Sequence, residues 1–150
     1  MSENFYFAYG SNLDTSQMEK RIGKCIMLER AHVDGYKLVF NVKSDNWGGC
    51  TANLKKTDWS SDKVYGFLYL INKKQLKELT TKYERIEPTS ISVRLESGLE
   101  QKNVQAYIWP KEEPSHEPPE AYRNAIIRGL TQHGYAQDII EKVKKEFSQP

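Results

Sequence analysis

Apolar and polar positions alternate along most of the first hundred residues, then shift to a helical period near the C-terminus. Residues 5–9, Phe-Tyr-Phe-Ala-Tyr, predict an aromatic strand. After it, Asp14, Thr15 or Ser16 can cap a short helix that turns Met18 and Ile22 inward. Short apolar pieces at 26–28 and 31–33 precede Gly35, and residues 36–42 alternate as a strand does. Residues 44–49 read as a polar loop. Strands are expected at 50–54 and 64–71, the second with Gly66 inside it as a candidate bulge. Asn72 and Gln75 form a capping-box pair. The helix they open puts Leu76, Leu79 and Tyr83 on one face, at i, i+3 and i+7, and Pro88 ends the region. Residues 91–95 and 104–109 predict a hairpin, with its loop between 97 and 103. Residues 110–119 form a loop rich in Pro and Glu, expected to be mobile. Pro119 suits the first turn of a helix carrying Tyr122, Ile126, Ile127 and Leu130. Gly134 breaks that helix, and 135–147 reads as a last amphipathic one with Ile139, Ile140, Val143 and Phe147 inward.

Many strands with interspersed helices and no βαβ rhythm argue for an α+β fold. At least six strands in so small a chain suggest a sheet curled into a partial or closed barrel. A length of 150 residues fits one domain, residues 1–150, able to bury roughly 70% of its unfolded surface. No internal repeat stands out.

Composition narrows the function classes. Charged residues at 28% and apolar residues at 38% exclude disorder, and no apolar run approaches the roughly 20 residues of a membrane helix. A net charge of +2 without a basic stripe argues against nucleic acid, and Lys142, Lys144 and Lys145 read as a solvated helix face. The start, Met1-Ser2-Glu3-Asn4, has no basic stretch of a secretory signal, so a cytoplasmic location is expected. Cys25 and Cys50 read as free thiols, with a disulfide left open. The three histidines lack metal-ligand spacing. Ser11 with His32, His116 or His133 does not read as a Ser–His pair, because no Gly stands two residues after the serine. Trp47, Trp59 and Trp109 read as core or pocket wall.

Candidate chemistry centres on residues 6–13, Tyr-Phe-Ala-Tyr-Gly-Ser-Asn-Leu. An aromatic strand runs into a Gly-Ser-Asn turn. Gly10 permits close backbone approach, so the turn can offer N–H donors, the Ser11 hydroxyl and the Asn12 amide to a carboxylate or oxyanion.

This octapeptide resembles the signature of the γ-glutamylcyclotransferase-like family. Gly48-Gly49 with the strand at 50–54 is similar to that family's Gly-Gly strand, and 64–69 to its aromatic strand with a central Gly. Residues 72–84 resemble its short helix ending in an acid. Pro118-Pro119-Glu120-Ala121-Tyr122, followed by Gly129 and Gly134, resembles its helical tail. Tyr-Gly-Ser-Asn-Leu differs from the Tyr-Gly-Ser-Leu of the glutathione-degrading branch.

The resemblance implies a small mixed β-barrel-like sheet with flanking helices. It also implies a reaction without metal or cofactor. The α-amine of a γ-glutamyl amino acid or amine attacks its own γ-amide, releasing 5-oxoproline and the free amine. Tyr6, Phe7, Ala8, Tyr9, Gly10, Ser11, Asn12 and Tyr122 would bind substrate, and one carboxylate would act as base and then acid. In the family that acid stands four residues after a helix leucine, with an aromatic before it and a Gly after. Here Tyr83-Glu84 lies five after Leu79, and Arg85 replaces the Gly. A one-residue insertion within 80–82 makes Glu84 the shuttle, with Glu87 in reserve. Arg85 beside Glu84 would lower its pKa. The expected partner is a small γ-glutamyl molecule, the protein being monomer or homodimer. The alternative is a non-catalytic member that binds a γ-glutamyl metabolite or a protein.

Overall fold

The computed structural model describes residues 3–148. Its elements are β1 (Glu3–Ala8), α1 (Thr15–Ile22), β2 (Ile26–Asp34), β3 (Tyr36–Ser44), β4 (Gly49–Lys56), β5 (Lys63–Asn72), α2 (Lys73–Glu78), β6 (Thr89–Leu95), β7 (Glu100–Ala106), α3 (Glu120–Gln132) and α4 (Gln137–Glu146). A 3₁₀ turn at Ser11–Leu13 follows β1, and a π-helical turn at Leu79–Glu84 continues α2.

Five strands close a barrel in the order β1-β5-β2-β6-β7. All neighbours are antiparallel except β1 and β7, which run parallel and make the barrel mixed. This is the α+β barrel that the pattern predicts. Of the seven described strands, five form the barrel, and β3 and β4 pair with each other as a separate hairpin. Polar side chains tie that hairpin to the chain after β7. Asn53 Oδ1 accepts from the Trp109 N–H at 2.8 Å, and its Nδ2 donates to the Trp109 carbonyl at 3.0 Å. The 110–119 segment is likewise stitched down rather than free. The Phe40 N–H donates to Ser115 Oγ at 2.9 Å, and the His116 N–H to the Phe40 carbonyl at 2.8 Å.

Two other details depart from the sequence reading. The pieces at 26–28 and 31–33 are one strand, β2, whose pairing with β5 slips between Met27 and Glu29. Gly66 is no bulge. It pairs in register with Ala31, and its missing side chain leaves room for the Phe7 ring and the Ala8 carbonyl.

The core fills the barrel and the gap beneath the helices. Phe7, Phe40, Leu68, Tyr69, Ile71 and Leu79 are fully buried. α3 lies across the 3₁₀ turn, with Ile126 and Leu130 buried and Gly129 pressed on Leu13. Any side chain at 129 would collide with the Leu13 backbone. Asp14 caps α1 through the Ser16 N–H at 3.1 Å and pairs with Arg128 of α3 at 3.2 Å. These contacts fix the turn after β1 between α1 and α3.

Candidate active site

A cavity of about 450 Å³ opens where the end of β1, the β3–β4 hairpin, the π-helical turn and α3 converge. Tyr6, Tyr9, Gly10, Ser11 and Asn12 form one wall, and Glu84 and Arg85 another. Tyr122 from α3, Tyr107 and Trp109 after β7, and residues 42–47 of the hairpin complete it.

The first wall follows from β1. The strand stops at Ala8, and the chain tightens into 3₁₀ geometry with Leu13 N–H to Gly10 carbonyl and Asp14 N–H to Ser11 carbonyl bonds, each 3.0 Å. The N–H groups that open such a turn have no carbonyl partner within it, and that of Ser11 lies against the Tyr122 hydroxyl. Gly10 has a negative φ of −109°, so it is not there for a left-handed backbone. Its small size serves packing instead: a Cβ there would strike the Tyr122 hydroxyl. That hydroxyl accepts the Ala52 N–H at 3.0 Å, and the Trp47 ring stands edge-on against Tyr122 at 5.1 Å. Gly10, Tyr122 and the hairpin thus fix one another.

The Ser11 and Asn12 side chains are not the open donors that the sequence suggests. Gln17 Nε2 donates to Ser11 Oγ at 2.7 Å and to Asn12 Oδ1 at 3.3 Å. Asn12 Nδ2 donates to the Tyr6 phenol at 3.0 Å, and Arg21 Nη1 donates to Asn12 Oδ1 at 3.2 Å. Asn12 is a buried joint between β1 and α1.

Glu84 reaches the cavity through an irregular helix. After Glu78 the backbone widens from i→i−4 to i→i−5 bonding, shown by the Arg85 N–H to Thr80 carbonyl bond at 2.8 Å. A π turn holds one more residue than an α turn, so it absorbs an inserted residue without rotating the chain beyond it. It spans the 80–82 stretch where the one-residue insertion is expected. Thr80 anchors it by a 2.8 Å hydrogen bond to the Tyr107 hydroxyl. The turn ends on Arg85 in left-handed geometry, φ 58° and ψ 27°, a conformation ordinarily given to Gly.

Burial raises the Glu84 pKa above the ordinary carboxylate value, and the nearby Arg21 guanidinium partly opposes that rise. Arg21, not Arg85, is the cation beside this carboxylate: its Nη1 lies 3.9 Å from Glu84 Oε2. Its guanidinium also stacks over the Tyr83 ring at 4.7 Å. Burial likewise holds the Tyr6, Tyr9 and Tyr122 phenols neutral, each raised above the usual tyrosine value.

The structure therefore gathers Tyr6, Tyr9, Gly10, Ser11, Asn12, Glu84 and Tyr122 around one cavity. It does not bring Phe7 and Ala8 there; both are buried in the barrel core, where β1 packs on β5. Glu87 is exposed and outside the lining. Sequence reasoning missed Arg21 and Tyr107; of the tryptophans read as core or pocket wall, Trp47 and Trp109 line the cavity and Trp59 is exposed. Gln17 and Arg21 stand at i and i+4 beside the inward Met18 and Ile22, the one signal that pointed to Arg21. Among the described residues no cluster of three or more His, Cys, Asp or Glu is arranged to hold a metal ion. Cys25 and Cys50 are free and half-buried. No described helix is long and apolar enough to cross a membrane.

Known proteins of similar sequence and shape point one way. The chain is 26% identical to the gamma-glutamylcyclotransferase of Mus musculus over 146 residues, covering 93% of this chain and 76% of that protein. It is 27% identical to that of Homo sapiens over 150 residues, with the same coverage of 93% and 76%. A solved gamma-glutamyl cyclotransferase superposes with a TM-score of 0.83 at 25% identity, covering 95% of this chain and 87% of that one. The crystal structure of an uncharacterized Homo sapiens protein superposes at 0.85, also at 25% identity, covering 96% and 88%. The sequence model of one family, described as gamma-glutamyl cyclotransferase, AIG2-like, matches residues 6–124, which span the barrel, the hairpin and the cavity walls, and the chain belongs to that family.

Proposed function

We propose that this protein is a cofactor-independent γ-glutamylcyclotransferase, converting a γ-glutamyl amino acid or amine into 5-oxoproline and the free amine. The observation that carries the reading is the Glu84 carboxyl inside an aromatic cavity, facing the turn that ends β1. The substrate's α-ammonium gives a proton to ionised Glu84. The amine nitrogen attacks the γ-carbonyl carbon and closes the five-membered ring. The carbonyl oxygen becomes an oxyanion, met by N–H groups of the Gly10–Asn12 turn with the Tyr122 hydroxyl nearby. Glu84 returns the proton to the departing nitrogen, the oxyanion collapses to a carbonyl as the C–N bond breaks, and the ring nitrogen sheds its remaining extra proton through Glu84 to the released amine. One carboxylate serves as base and then acid, so its pKa must lie nearer neutrality than that of a solvated glutamate. Burial moves Glu84 in that direction. The cavity supplies further rate by holding the glutamyl chain folded back on itself. With this reading go a small γ-glutamyl partner, a cytoplasmic location and a monomeric or homodimeric state.

The test is a matched pair, γ-glutamyl-alanine and α-glutamyl-alanine, with 5-oxoproline measured for each. Release is expected only from the γ-linked compound. Equal rates would indicate a general amidase. No release from any γ-linked compound tried would leave a non-catalytic binder of γ-glutamyl metabolites.

A further inference from the structure

We propose that Arg21 holds the substrate's α-carboxylate, so that Arg21 and Glu84 together read the zwitterionic end of the glutamyl unit. The inference rests on the cyclotransferase reading of the cavity. A glutamyl α-ammonium and α-carboxylate share one carbon, so a site for both needs an acid and a base side by side. Arg21 and Glu84 are so placed, and they stand apart. The 3.9 Å between Nη1 and Oε2 exceeds the length of a charge-assisted hydrogen bond. The ion pair is loose, and neither group takes up the other's hydrogen-bonding capacity.

Three contacts fix Arg21 without using up its donors. Nη1 donates to Asn12 Oδ1 at 3.2 Å, the guanidinium lies over the Tyr83 ring at 4.7 Å, and the Tyr83 hydroxyl bonds the Arg21 carbonyl at 3.5 Å. Among the described residues, Nε and Nη2 have no hydrogen-bond partner. That edge of the fork is the one that takes a carboxylate by two parallel bonds. The side chain is only 14% exposed, and Arg21 lines the cavity, so a ligand held there can reach its guanidinium. The other cations of the lining, Lys43 and Arg85, are exposed, whereas Arg21 is held on Asn12.

The assignment also resolves a competition. The α-carboxylate and the γ-oxyanion would otherwise both draw on the few N–H donors of the Gly10–Asn12 turn. With the carboxylate on Arg21, they are left for the oxyanion.

Calorimetry with 5-oxoproline and 2-pyrrolidinone tests this, since the two rings differ only in the carboxylate. Wild-type protein should bind 5-oxoproline roughly ten- to a hundredfold more tightly, the range of a hydrogen bond to a charged group. Arg21→Gln should reduce the preference to under about threefold while 2-pyrrolidinone affinity holds, and Arg21→Lys should restore only part of it. In turnover, the KM of γ-glutamyl-alanine should rise in Arg21→Gln. The KM of its α-carboxamide analogue should not. A folded Arg21→Gln that still discriminates by the wild-type factor overturns the assignment. So does a wild type that binds both rings equally, whatever the fate of the variant. Selective binding lost with Arg21, but no 5-oxoproline release from any γ-linked compound, supports the carboxylate site and removes the cyclotransferase reading instead.

Discussion

Deleting Lys82 should leave this protein active, although it shortens a helix that carries the proposed shuttle. The π turn from Leu79 to Glu84 contains one residue more than α geometry allows. Lys82 is exposed. Removing it turns the Arg85 N–H to Thr80 carbonyl bond, now i→i−5 at 2.8 Å, into an ordinary i→i−4 bond with the same two groups. Thr80 keeps its bond to Tyr107. Glu84 then stays where it is, in the register that the family resemblance describes, four residues after the leucine. Inserting an alanine after Lys82 does the opposite. An extra α-helical residue rotates the downstream residues by about 100° and advances them about 1.5 Å. At a side-chain radius of about 5.5 Å, that swings a carboxylate roughly 8 Å. This is twice the 3.9 Å separating it from Arg21, so the carboxylate would leave the cavity. Release of 5-oxoproline from γ-glutamyl-alanine should remain within about tenfold of wild type in the deletion. It should fall by roughly 10²–10⁴ in the insertion, the contribution of a general acid–base group. A deletion variant that is folded yet as inactive as the insertion would refute the register argument.

Glu84→Gln should lower turnover by roughly 10²–10⁴ while leaving 5-oxoproline binding largely intact, and wild-type turnover in this variant would remove Glu84 from the mechanism. It should also change stability with a definite sign. Burial raises the folded-state pKa of Glu84, so the native protein holds its proton more tightly than the unfolded chain. Stability is therefore lost as pH rises from the unfolded toward the folded pKa. The melting temperature of Glu84→Gln relative to wild type should climb from about pH 4 to about pH 8; a difference that is flat or falls would contradict the burial argument. Gly10→Val should cost about 1–3 kcal/mol or more, because its side chain meets the Tyr122 hydroxyl, and should abolish 5-oxoproline binding. Unchanged affinity in a folded Gly10→Val would make the turn structural only. Arg85→Gly should gain up to about 1 kcal/mol in denaturant unfolding, as relief of left-handed strain outweighs the entropy of a new glycine.

Much of this was readable in the chain because local signals and tertiary packing agree. Asn72 and Gln75 read as a capping box, and both of its bonds are present, Asn72 Oδ1 from the Gln75 N–H at 2.8 Å and Gln75 Oε1 from the Asn72 N–H at 3.0 Å. The run at 64–71 is rich in aromatic and β-branched residues and lies within β5, the strand shared by β1 and β2. The misses fall where a side chain's role depends on distant partners. Nothing near residues 11–12 in sequence shows that Gln17 and Arg21 will occupy the Ser11 and Asn12 side chains. Nothing near residues 36–56 shows that Asn53 clips the hairpin to Trp109, 56 residues away. Arg85 looked like the neighbour of Glu84 because it is adjacent in sequence. In left-handed geometry at the end of the turn, no described ion pair joins it to the carboxylate.

The two irregularities of backbone at this site, a π turn and a left-handed arginine, have one geometric consequence. Together they set the distance between Glu84 and Arg21. A regular helix of the same sequence would present Glu84 about 100° away. A carboxylate drawn to hydrogen-bond distance of Arg21 would be held ionised and would make a poor acid in the second half of the proposed reaction. A carboxylate with no cation nearby would be raised further by burial and would make a poor base in the first half. At 3.9 Å, with Arg21 restrained by Asn12 and Tyr83, neither extreme applies, and burial leads while the guanidinium opposes. Strained backbone at a working site is a familiar compromise of stability for geometry. Here the compromise balances the proton affinity of one carboxyl group, and that balance is what a single residue serving as base and then acid requires.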